Sequence, residues 1–186
     1  MSLLNEWVFQ PAYFPAWLQA VAALIALGIS VVAIRRTGAD ERRRNLLELR
    51  GVAVAIYPEI GMLKITSRSV RDWLPTVKEH FKGFIGSSIA ATVQNSASIA
   101  TPPMLDRYTD KLFLLGEIAG PACLSLVRTL TQYNQIVGGI AARLPMLNAD
   151  EWPEALSHVD KHLTLLDAII AKCEHEVKPI HDAIEG

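Results

Sequence analysis

No charged residue stands between Trp7 and Ile34, and no Lys or Arg precedes that stretch. The second absence argues against a secretion signal, which wants a basic segment ahead of its apolar run and a small-x-small cleavage site after it. Cysteine occurs only twice, at Cys123 and Cys173. Neither belongs to a C-x-x-C pair, so spacing supports neither a zinc site nor a redox motif. No G-x-S-x-G elbow is present, and "GFIGSS" lacks both the Walker lysine and a preceding strand. Alternating apolar and polar residues bounded by turn signals are missing too, which removes the usual mark of a β-sheet. Internal repeats and low-complexity tracts are absent. A formal net charge of −1 over 186 residues argues against a general nucleic-acid binder.

What fills the uncharged stretch is hydrocarbon. "AWLQAVAALIALGISVVAIRR", Ala16 to Arg36, is apolar up to Ile34 except for Gln19 and Ser30. As a helix it covers about 30 Å, the thickness of a bilayer's hydrocarbon core. A buried core helix would carry a polar face, and this one has none. Trp7, Tyr13, Phe14 and Trp17 crowd its start, where aromatic rings favour a membrane interface. Pro11 and Pro15 fall where a helix begins and tolerates them. A transmembrane anchor is therefore expected over residues 14–36.

The flanks set an expected orientation. Arg35, Arg36, Arg42, Arg43, Arg44 and Arg50 follow the run, whereas only Glu6 is charged before it. Positive charge beside a span stays cytoplasmic, so residues 1–13 should face out and residues 37–186 should form a cytoplasmic domain. The same arginines can sit against anionic headgroups or form a solvated face. Cys123 and Cys173 then lie in a reducing compartment as small core side chains, without a disulfide.

Helical spacing dominates the remaining chain, so the expected fold is all-α: one N-terminal transmembrane helix followed by an antiparallel helical bundle. A first stretch from about Ala39 to Thr66 carries Leu46, Leu49, Ala53, Ile56, Ile60 and Leu63 in one seam. Thr37 with Asp40 resembles a capping box that would restart the helix after Gly38, unless the anchor runs straight on. Pro58 predicts a kink near Tyr57. A weaker stretch spans Ser67 to Phe81, interrupted by Pro75. "KGFIGSSIAATVQNSASIATPP" reads as a long connection with at most a short helix near Ile89 to Val93. A third helix should open at Thr101 as cap, with Pro102 and Pro103 in its first turn, and stop at Gly116. "EIAGP" reads as the turn before a long helix from Pro121 to Leu144. There Gly138 and Gly139 suggest close packing against a neighbouring helix. A last helix should run from Pro153 to Val177 and kink onward past Pro179.

Few residues offer chemistry. His158 and His162 stand one helical turn apart and are the best candidates for a shared metal, but "HVDKH" lacks the glutamate of a zinc helix. Histidines on the edge of an apolar arc serve packing equally well. "CEHEVKPIHD" gathers ligand types, yet on a helix they point several ways. No catalytic residue and no cofactor is expected. In the anchor, Gln19, Ala23, Ala26, Ser30 and Ala33 recur at steps of four and three, a small-residue stripe that lets membrane helices approach closely.

At "TPPMLDRYTDKLFLLGEIAGPACLSLVRTLTQYNQIV" the chain resembles uncharacterised bacterial membrane proteins with one N-terminal span. The likeness covers about Phe14 to Leu144. It implies a bacterial inner-membrane location and supplies no active site. The expected role is binding: a membrane-anchored scaffold or adaptor, partnered by the bilayer and by a second copy or another membrane protein. It would associate through the anchor and the Leu46 to Leu63 seam. A membrane-tethered sensor or effector in stress or phage defence is the alternative, and a metal enzyme at His158 and His162 the third reading.

Overall fold

The computed structural model describes residues 16–79 and 86–185, and every element in it is helical. The expectations for residues 1–13, for the aromatic cluster at Trp7, Tyr13 and Phe14, and for 80–85 lie outside the described residues. The elements are α1 (Ala16–Glu79), α2 (Gly86–Ala97), α3 (Pro103–Arg107), α4 (Gly116–Arg143) and α5 (Trp152–Glu185). A 3-10 segment, Thr109–Leu115, joins α3 to α4, and two short 3-10 turns, Leu144–Met146 and Ala149–Glu151, join α4 to α5. The chain divides into two compact units, one ending at Leu46 and the other beginning at Leu47.

In the first unit α1 does not restart at Gly38. Thr37 turns its hydroxyl back onto the Ala33 carbonyl (2.7 Å), as Ser30 does onto Ala26 (2.8 Å). A hydroxyl used inside its own helix is not a cap, and the apolar run and the stretch after it form one helix, α1.

The second unit is built on rows of buried residues at alternating steps of three and four. On α1 the row is Ala53, Ile56, Ile60, Leu63, Ser67, Val70, Leu74 and Val77. On α5 it is Leu156, Val159, Leu163, Leu166, Ile170, Cys173 and Val177, and on α4 it includes Cys123, Leu126, Leu130, Tyr133 and Val137. A repeat of 3.5 residues is what lets helices keep one seam in contact over many turns. Ser67, the one buried polar residue described, donates to the Lys64 carbonyl (3.2 Å) and so adds no unmet donor. Of the seam expected from Leu46 to Leu63, Ala53, Ile56, Ile60 and Leu63 are buried, Leu49 is half-buried and Leu46 is exposed. Pro58 and Pro75 both fall on the exposed side of α1. The helix runs through both.

Cross-links tie α1 to α5. Tyr57 stacks on His181 at 4.4 Å between ring centroids, Lys64 pairs with Glu174 at 2.6 Å, and Arg71 holds Asp167 through Nε at 3.1 Å and Nη2 at 2.5 Å. Residue numbers rise along α1 as they fall along α5. Both ion pairs are partly open to solvent, so they fix register more than they stabilise, each contributing about 0–1 kcal/mol.

The short helix expected near Ile89 to Val93 is there and is longer, α2 over Gly86–Ala97, inside what reads as a connection. Ile89, Val93 and Ala97 recur every four residues and are buried, while Ser88, Asn95 and Ser96 face out. One apolar stripe overrides the poor helix propensity of its neighbours. The extended residues after α2 are clamped by α4. Tyr133 donates to the Ala97 carbonyl (2.8 Å), and the Asn134 amide both accepts from Ile99 N–H (3.0 Å) and donates to Ile99 C=O (2.7 Å).

Three local expectations are revised around α3 and α4. Thr101 does not cap α3; the Glu59 carboxylate on α1 accepts from Met104 N–H (2.9 Å) and Leu105 N–H (2.7 Å). A carboxylate meeting the orphan amides of a helix start also complements its dipole. "EIAGP" is not a turn: the reversal is at Gly116, at φ 93°, and α4 starts there. The close approach lies at Gly120 rather than at Gly138 and Gly139. A Cβ at Gly120 would stand 2.6 Å from the Leu112 carbonyl oxygen, whereas one at Gly139 would meet nothing within 4 Å. At Gly138 it would meet only the end of Gln94, at 3.6 Å. The final helix begins at Trp152 and runs through Pro179 to Glu185.

These spaces predict opposite outcomes for two similar substitutions. Gly120→Ala should cost about 1–3 kcal/mol, because backbone must shift to admit the methyl. Gly139→Ala should leave stability unchanged or raise it by up to about 1 kcal/mol. Denaturant midpoints of the full chain in detergent measure both, and equal effects would contradict the packing described.

Candidate functional site: the uncovered apolar segment

The segment of α1 from Val21 to Ile34 carries the most unusual surface in the first unit. Val21, Leu24, Ile25, Leu27, Ile29, Val31, Val32 and Ile34 are each between 43% and 70% exposed. Complete burial of such a side chain stabilises by about 1.5–3 kcal/mol, so exposing all of them to water costs on the order of 10 kcal/mol. An 18-residue window of this helix has a mean hydropathy of 1.6, and none of it is buried. Arg35, Arg36, Arg42, Arg43 and Arg44 follow on the same helix, all exposed. Ala23, Ala26, Ser30 and Ala33 are exposed as well and share one face by their spacing. The side chains of 16–20, Gln19 among them, lie outside the described residues.

A second stretch, Thr109–Met146, also passes the length and hydropathy test, with a mean of 1.4. Its most apolar window is 39% buried. Leu126, Leu130, Tyr133 and Val137 are covered by the protein itself, as in the core helix of a folded domain. One or two helices are thus apolar enough to cross a membrane.

The ligand-type side chains are dispersed. His158 is exposed at the rim of a notch of about 230 Å³, beside Arg143 and Glu154, where α4 ends and α5 begins. His162 is half-buried one turn further on. Within "CEHEVKPIHD", Cys173 points into the core, His175 lies 83% exposed beside Glu176, and His181 is the ring stacked on Tyr57. Among the described residues no three His, Cys, Asp or Glu side chains gather around a point where an ion could sit. A larger notch of about 300 Å³ has Arg68 and Arg71 along it, but Arg71 is committed to Asp167.

Three buried titratable groups stand apart from the surface. Cys123 and Cys173 meet at 3.0 Å between sulfurs, both free thiols and both fully buried. The hydrogen bond to Cys123, and then burial, push the Cys173 thiol far above its ordinary range, so it stays protonated at neutral pH while that contact is closed. Burial first, and the nearby Asp167 charge second, raise the Tyr133 phenol well above its usual value. The pairing of the cysteines was open to sequence reading. Each occupies the buried row of its helix, and Asn148, in the turn between those helices, lies midway between them in the chain. The Glu59 cap carries no comparable signal, because its partners are fixed only by tertiary packing.

Comparison with protein-family models, with curated proteins and with solved structures finds no match to the chain.

The Tyr133 shift sets an alkaline dependence. A phenol whose folded pKa is raised contributes fully below the unfolded value of about 10, and its contribution falls as pH rises above that, by about 1.4 kcal/mol per unit. Tyr133→Phe should cost about 1 kcal/mol at neutral pH for the lost bond to Ala97. It should also flatten the stability loss above about pH 10. Denaturant midpoints across that range measure the difference; an unchanged alkaline slope in the variant would contradict the assignment.

Proposed function

We propose that the chain is a single-pass membrane protein whose segment near Ala16 to Arg36 crosses the bilayer. The arginines face the cytoplasm and the N-terminus faces out. Residues 37–186 then form a cytoplasmic antiparallel helical bundle, a reading supported by the opposed numbering of the α1–α5 pairs. The protein acts by binding, as a scaffold or adaptor at the inner membrane. The observation that carries this is the apolar run from Val21 to Ile34, which nothing among the described residues covers. Lipid removes that cost, and helix backbone suits lipid because its amides are paired internally.

Self-association, or pairing with another membrane helix, falls to the Gln19, Ala23, Ala26, Ser30 and Ala33 stripe, since the buried seam of α1 is already used. Ser30 spends its donor on Ala26, so from Ala23 to Ala33 the stripe offers small residues for close packing, while Gln19 is the residue that would hydrogen-bond across the contact. The Arg35 to Arg44 cluster sets orientation and holds the start of the cytoplasmic helix near anionic headgroups, each residue contributing about 1 kcal/mol close to the surface. Dispersed histidines and a suppressed Cys173 thiol favour binding over catalysis.

Cell fractionation tests the anchor. The full chain should sediment with membranes and resist alkaline carbonate. Leu24→Arg with Leu27→Arg should release it or block insertion, since each charge near mid-membrane costs about 2.5–3.5 kcal/mol. Recovery of the unaltered chain from the aqueous fraction without detergent would contradict the proposal. A C-terminal reporter should be active only in the cytoplasm, and Ala26→Leu with Ser30→Leu should abolish any oligomer that survives in detergent.

A further inference from the structure

The contact between α4 and α5 brings together two thiols that the membrane reading does not use. Cys123 and Cys173 come from different helices, 50 residues apart in sequence, and their sulfurs stand 3.0 Å apart. Both are fully buried, Cys123 ahead of Leu126 and Leu130 on α4 and Cys173 between Ile170 and Val177 on α5. Facing small residues at this depth leave each sulfur with the other as its polar partner. A disulfide needs its sulfurs at about 2.05 Å, and side-chain rotation of about 1 Å in total supplies the approach. No other Cys is present to compete.

We propose that Cys123 and Cys173 form a dithiol that closes to an intramolecular disulfide under a hydroperoxide, latching α4 to α5. One sulfur, as thiolate, attacks a peroxide oxygen; the O–O bond breaks, and a sulfenic acid forms as the first water leaves. The second sulfur then attacks the sulfenic sulfur, so that an S–S bond replaces the S–O bond and a second water departs. Two thiols lose two electrons and two hydrogens, and one hydrogen peroxide becomes two waters. A small dithiol reverses the step by exchange. Burial makes the reaction slow, because the thiolate is scarce until the contact opens, so the latch answers sustained peroxide rather than a brief pulse. The latch is independent of which side of a membrane the domain occupies.

The full chain in detergent is exposed to hydrogen peroxide, denatured, and labelled with a maleimide-polyethylene glycol that adds visible mass per free thiol. Wild type should pass from two tags to none, remain a single chain on a non-reducing gel, and yield Cys123 and Cys173 in one cross-linked peptide pair that has lost two hydrogens, about 2 Da. Dithiothreitol should restore both tags. Cys123→Ala and Cys173→Ala should each form no intramolecular bridge and instead gain oxygen on the peptide carrying the remaining sulfur, because no partner sulfur is in reach to displace the sulfenic oxygen. The oxidised chain should melt above the reduced one, since the bridge restricts the unfolded chain without displacing the helices. Two tags persisting through the exposure, oxygen additions on the wild-type cysteine peptides in place of the hydrogen loss, single variants that gain no oxygen at their remaining cysteine, or an oxidised form that melts lower would each overturn the proposal. The mass reading on wild type stands even if a variant fails to fold.

Discussion

Hydrocarbon without cover is the constraint on which the account rests. From Val21 to Ile34, α1 exposes one large aliphatic side chain after another and not one charge. The free energy at stake in water, on the order of 10 kcal/mol, equals the whole net stability of an ordinary domain. Something other than water has to meet that surface. The arginines that begin at Arg35 mark where such a medium would end.

The second unit obeys a different rule. Its helices bury rows spaced by 3.5 residues, so long seams stay in register, and polar groups are placed to finish what the seams leave open. Glu59 reaches from α1 to serve the orphan amides of α3. Tyr133 and Asn134 hold the extended link after α2, and Trp152 donates from its indole to the Leu144 carbonyl at 3.1 Å, closing the turn into α5. These bonds join segments distant in sequence. They make the domain specific more than they make it stable.

That difference explains what could be read from the residues alone. The apolar run, the all-helical class and the rows through Ile56, Leu163 and Leu130 follow from periodicity, which is local. α2 was obscured because Gly, Ser and Asn dominate its composition, and a stripe of Ile89, Val93 and Ala97 decides the matter only once a core exists to receive it. Thr101 looked like a cap because capping preferences are local, whereas Glu59 acts from a helix more than forty residues earlier. Glycine misled in the same way: Gly138 and Gly139 drew notice as a pair, but the tight approach is at Gly120, against a backbone carbonyl. Gly38 and Thr37 suggested a break, and the helix ran through, because Thr37 satisfies its own hydroxyl on Ala33.

Amide hydrogen exchange on the full chain in bilayer nanodiscs tests the central claim most directly. If lipid covers the segment from Val21 to Ile34, its amides exchange slowly, and exchange quickens past the arginines, from Gly38 to Leu46, where the same helix meets water. Rapid exchange across Val21 to Ile34, matching that of the residues after Arg36, would contradict the account.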